Sequence, residues 1–185
     1  MTRLWFKLFY AVEFVGVGIF MPYLAMFFLR KGLTSVEVGS LLAVMPLSGF
    51  LVQPIWGVVS DKLSATKLLV TLGCWFSGIL VVMLTMTDRF DYLFVIVAVS
   101  AVVRAPIHPN VAALALNHLD LQGKQDEYGK FRLWGSIGFI VATLFAGGLL
   151  FDGRLTVAIY LYSGCMLVLG FISLLLPDRH VSSKS

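Results

Sequence analysis

Charge is scarce in this sequence: Asp, Glu, Lys and Arg make up 13% of its 185 residues, against about a quarter in soluble proteins. That scarcity excludes an ordinary water-soluble domain. There are only two cysteines, Cys74 and Cys165, both inside apolar runs and without metal or redox spacing, so neither a disulfide framework nor a zinc site is expected. They read as small apolar core residues. No nucleophile sits beside a base and no glycine loop is shaped for phosphate. An enzyme, an ATP-driven mechanism and a bound cofactor or metal are therefore not expected. A net charge of +4 is spread as short basic clusters between apolar runs, which excludes a nucleic-acid surface and fits orientation in a lipid bilayer.

Apolar residues are what the sequence has in excess, at 59% with a mean hydropathy of +0.92. About 20 apolar residues cross a bilayer as a helix. Runs of that kind predict six spans near 5–29, 36–59, 67–87, 91–116, 131–151 and 155–177, in an all-α polytopic bundle. The first run is too long for a signal peptide's apolar region and lacks a small-residue cleavage site, so it is expected to stay as a span. Short turns, "RKGLTS" (30–35), "TDRFD" (87–91) and "FDGR" (151–154), join spans on one side. Arg3, Lys7, "SDKLSATK" (60–67), the polar loop 117–130 with Arg132, and the tail 178–185 lie on the other. That side carries nine Lys or Arg against four opposite, which predicts cytoplasmic termini in a cell membrane. The loop 117–130 divides the spans three plus three, the arrangement of an inverted repeat. In such a repeat spans one and four are equivalent, and each holds an internal ionisable residue and proline: Glu13 with Pro22, and Arg104 with Pro106 and Pro109.

Three stretches carry a resemblance. "GVVSDK" (57–62) resembles the loop between helices two and three of the major facilitator superfamily: Gly57, Asp61, Lys62 and Lys67 match, while Ser64, Ala65 and Thr66 replace a glycine and two basic positions. "GIFMPYLAMFFLRKGLTSVEVGSLLAVMPL" (18–47) and "YGKFRLWGSIGFIVA" (128–142) are similar to its proton-coupled oligosaccharide, nucleoside and phenylpropionate permeases. The resemblance implies a secondary transporter that moves a small organic solute with protons. It also implies a cytoplasmic gate formed by Gly57, Asp61 and Lys62, with Arg132 near the Asp61 loop. In physical terms Gly57 permits close backbone approach, and Asp61 at a helix end can meet a cation or a helix N-terminus. The superfamily has twelve helices in two halves, and this chain corresponds to the first half. Its end, "LLLPDRHVSSKS", resembles the start of the central loop. A fragment, a split gene product and a half-sized protein pairing with a second six-helix half all fit, and alone the chain holds at most half a site. The alternative is a non-transporting membrane protein that serves only as an assembly partner.

A charge at the bilayer centre costs about 2.5–3.5 kcal/mol on insertion scales. Glu13 therefore needs a cavity, a partner or neutrality. At about 1.5 Å per residue, Glu13 and His108 each lie about 12 Å, and Arg104 about 18 Å, from the cytoplasmic ends of their helices. Arg104 and His108, four apart, are expected to share a helix face. Burial favours a neutral carboxyl and a nearby cation favours a charged one, so motion between two such settings moves a proton. A fixed Glu13–Arg104 ion pair beside a core His108 is the competing reading. Gln53, Trp56 and Asn110 are candidate cavity residues for a polar or aromatic solute, or else join helices. Phe20, Tyr23 and Trp134 read either as cavity aromatics or as interfacial anchors.

Overall fold

The computed structural model describes residues 2–63, 66–150 and 154–177, without the side chains of 61, 63, 149 and 150. The tail 178–185 and most of the 151–154 turn lie outside the described residues. The described residues form seven α-helices: α1 (Thr2–Arg30), α2 (Ser35–Leu63), α3 (Thr66–Met83), α4 (Phe90–Arg104), α5 (Ile107–Asp120), α6 (Tyr128–Leu150) and α7 (Leu155–Leu174). A 3-10 turn, Gln125–Glu127, precedes α6, and no strand occurs among the described residues. Among the described residues six helical stretches are long and apolar enough to cross a membrane, the fourth being α4 and α5 together over Phe90–Asp120.

Local sequence sets the helix ends. Gly32, at φ +86°, ends α1 in the left-handed conformation that glycine adopts without steric cost. The Leu33 amide then donates back to the Phe28 carbonyl at 3.4 Å, the six-to-one bond of a Schellman cap. Two residues on, a capping box opens α2. The Thr34 amide donates to Glu37 Oε2 at 2.7 Å, and the Glu37 amide donates to Thr34 Oγ1 at 3.4 Å. Lys31 binds Asp88 at 2.6 Å and the Thr87 carbonyl at 2.9 Å, which ties the first turn to the third.

The fourth span is not the continuous helix expected over 91–116. It breaks at Ala105–Pro106 and resumes as α5, reaching Asp120. Pro106 has no N–H to give to the Val102 carbonyl four residues back. The Trp56 indole donates to that carbonyl instead, at 2.9 Å, so the break costs no unsatisfied acceptor there.

Packing follows a two-fold pattern. The principal contacts join span one with five and six, span four with two and three, and span three with six. Exchanging one with four, two with five and three with six leaves that set unchanged, as an inverted repeat requires. Between α1 and α6 the backbones nearly touch: a Cβ on Gly138 would lie 2.5 Å from the Ala11 carbonyl oxygen. Small residues on α6, at Gly135, Gly138, Ala142 and Ala146, supply that buried seam, the usual means of close helix approach in lipid. By contrast α2 turns Phe50, Leu51, Ile55 and Val58 outward.

Candidate functional site

Glu13 is 5% exposed on α1. Its carboxylate oxygens lie 3.5 Å from His108 Nδ1, at the long limit of a hydrogen bond. His108 falls in the first turn of α5, just beyond the proline break. The rings of Tyr10 and Phe14 stand nearly edge-on to its imidazole, at 5.9 and 6.2 Å between centroids. The Tyr10 hydroxyl meets that of Tyr128 at 3.0 Å, so α1, α5 and α6 converge on one polar cluster. Tyr10, Phe14 and Tyr128 were not candidates from sequence; the signal for the first two is their α1 spacing, three before and one after Glu13, and Tyr128 begins α6.

Arg104 goes elsewhere. No carboxylate lies within 4.0 Å of its guanidinium among the described residues, which instead sits over the Tyr162 ring at 5.6 Å from its centroid. The face that Arg104 and His108 share in an unbroken helix is interrupted between them, and each reaches a different neighbour, α7 and α1. Arg104 lies near the middle of the span Phe90–Asp120. There the insertion cost is about 2.5–3.5 kcal/mol, and a cation–π contact returns about 0.5–2 kcal/mol. A cavity of about 360 Å³ opens beside it, lined also by Met21, Met45, Pro46, Gly49, Ala101 and Ala105.

A second cavity, of about 310 Å³, lies between α2 and α5 and is lined by Gln53, Trp56, Gly57, Ser60, Pro106, Pro109, Asn110 and Ala113. Asn110 Oδ1 accepts from the Ser60 hydroxyl at 3.0 Å, and Ser60 meets Thr66 at 3.2 Å. This network joins α2, α3 and α5. Gln53, exposed, has no hydrogen-bond partner among the described residues. Phe20 lines neither cavity: it is buried, its ring stacked on Tyr162 at 4.4 Å, because its side of α1 faces α7. Trp134 is exposed, and Tyr23 is half-buried, packed on the buried core.

At the gate positions, a Cβ on Gly57 would meet nothing within 4 Å. The close approach expected of Gly57 is thus not made inside this chain, because its face of α2 borders the second cavity. Lys62 and Arg132 are exposed, and the Asp61 side chain lies outside the described residues. At the same end, Arg3 binds Glu127 at 2.7 Å and Gln122 at 2.6 Å, with Lys130 also on Glu127 at 3.2 Å. That fastens the start of α1 to the 117–130 loop. No group of three or more His, Cys, Asp or Glu side chains could hold a metal among the described residues.

Comparisons with known proteins agree with this architecture. The maltose permease of Geobacillus stearothermophilus is 27% identical over 93% of this chain and 43% of its own length. The probable 3-phenylpropionic acid transporter of Escherichia coli (strain K12) is 29% identical over 91% of this chain and 44% of its own. The quinolone resistance protein NorA of Staphylococcus aureus is 25% identical over 98% and 46%. The chain thus spans under half the length of these curated relatives. The crystal structure of the nucleoside transporter NupG superposes with a TM-score of 0.85 at 18% identity, over 97% of this chain and 44% of that one, which establishes the shared fold. With six stretches able to cross a membrane among the described residues, and with the profile of the MFS_1 like family matching residues 3–185, the chain is a multi-pass membrane protein that belongs to that family.

Proposed function

We propose that this chain is the N-terminal half of a proton-coupled symporter for a small organic solute, working by alternating access against a second six-helix half. The observation that carries the reading is the Glu13–His108 contact at 3.5 Å, set deep in the first span beside a broken fourth span. Discontinuous helices and an inverted repeat frame the midplane sites of secondary transporters. A carboxylate and an imidazole in contact form a unit that shares a proton, and intramembrane ionisable residues mark transport pathways. Rocking of one half against the other changes the water access of the half-exposed His108, and with it the proton occupancy of the pair. Tyr10 and Phe14 pack edge-on against the imidazole.

On this reading the solute sits where the two cavities face the second half, with Gln53 and Trp56 offering an amide and an indole to it. Gly57, Asp61, Lys62 and Arg132 form the cytoplasmic gate, and the termini are cytoplasmic in the plasma membrane. Solute accumulation in energised cells tests the coupling. Glu13→Gln should reduce accumulation to the level reached without a proton gradient, while exchange of solute across the membrane continues. Accumulation equal to that of the parent chain would refute a coupling role for Glu13.

A further inference from the structure

We infer that Arg104 is the anchor for a carboxylate, so that the solute is an organic monocarboxylate with a compact apolar body. The inference deepens the transport reading and rests on it. Arg104 is the one cation placed in the middle of a described span, and Glu13, the carboxylate nearest in depth, is committed to His108. Its guanidinium face is covered by the Tyr162 ring. That leaves the planar edge of N–H donors, and no hydrogen bond from them is found among the described residues. Such an edge matches a carboxylate with two parallel hydrogen bonds.

The surrounding cavity fits the remainder of the molecule. Among the described residues its walls are two methionines, a proline, a glycine and two alanines, with Arg104 the sole charged group. Methionine side chains are polarizable and adapt to irregular or aromatic shapes. The volume of about 360 Å³ lies at the small end of the ligand-site range of about 300–1,000 Å³. A hydroxyl-rich sugar would find few partners on these walls, whereas an aryl or branched-alkyl acid would bury its body against them.

The test is equilibrium binding of radiolabelled phenylacetate to the chain assembled with its second six-helix half in lipid nanodiscs, with phenylacetamide as the neutral isostere. The expected result is saturable binding of the acid, competed by other monocarboxylates and not by the amide. Arg104→Gln should weaken binding at least about tenfold, or about 1.4 kcal/mol, and Arg104→Lys by less, since it keeps the charge and loses the fork. Helix content by circular dichroism confirms that each variant is folded. Should neither variant fold, discrimination of acid from amide by the parent chain decides. Absence of saturable binding, equal binding of acid and amide, or undiminished binding by folded Arg104→Gln would overturn the assignment. Proton movement is measured separately. Selective acid binding with proton flux indifferent to Glu13 sinks only the proton role, and unselective binding with Glu13-dependent flux sinks only the carboxylate anchor.

Discussion

Glu13 and Arg104 both bring charge into apolar spans, and the structure meets them differently. One has an imidazole in contact; the other has an aromatic face and an open cavity. Depth counting puts Glu13 and His108 at the same level, and they do meet. It says nothing about azimuth around a helix, which is why Tyr162 as the neighbour of Arg104, and Phe20 turned into the core, were not legible. Trp56 shows the same limit, since its spacing marks a cavity face while its indole also serves the carbonyl freed by Pro106. Trp56→Phe keeps the ring and removes that donor. The expected cost is about 0.6 kcal/mol, the average for hydrogen bonds between membrane helices, and at most about 1.7 kcal/mol, read as a lower melting temperature in detergent. An unchanged melting temperature would mean that water or Gln53 replaces the indole.

At the level of elements, apolar runs identify six spans because a bilayer imposes one length on all of them. Their packing partners are set by details that hydropathy does not contain. Gly135 and Gly138 are small enough for close helix packing, and hydropathy does not say against what. In the structure Gly135 faces the Phe14 ring, and Gly138 faces the backbone of Ala11, which cannot swing aside as a side chain would. Gly138→Ala should therefore separate α1 from α6 and cost about 1–3 kcal/mol, as overpacking does. Gly57→Ala is the control, since its added methyl enters open space and stability should stay within about 0.5 kcal/mol. Thermal unfolding of the two variants side by side checks both, and equal shifts would contradict the packing described here. The broken fourth span was half legible: Pro106 and Pro109 announce a disturbance, but a proline pair fits a kink as well as a full interruption.

For the whole molecule, the exchange symmetry of the helix contacts places spans one and four in equivalent positions, and these are the spans that bear Glu13, Arg104 and His108. The three-plus-three division is visible in sequence through the polar loop 117–130. The equivalence itself shows in space, in which helices pack together. Whether the bundle moves protons with solute is decided most directly by a pH electrode in a weakly buffered suspension of energy-depleted cells expressing this chain together with its second six-helix half. A panel of phenylacetate, maltose and uridine is added in turn, with cells lacking the chain as the baseline. The predicted result is alkalinisation of the medium above that baseline on adding a transported solute, absent in Glu13→Gln. Solute entry without alkalinisation, or alkalinisation of equal size in Glu13→Gln, would contradict proton coupling through the Glu13–His108 pair.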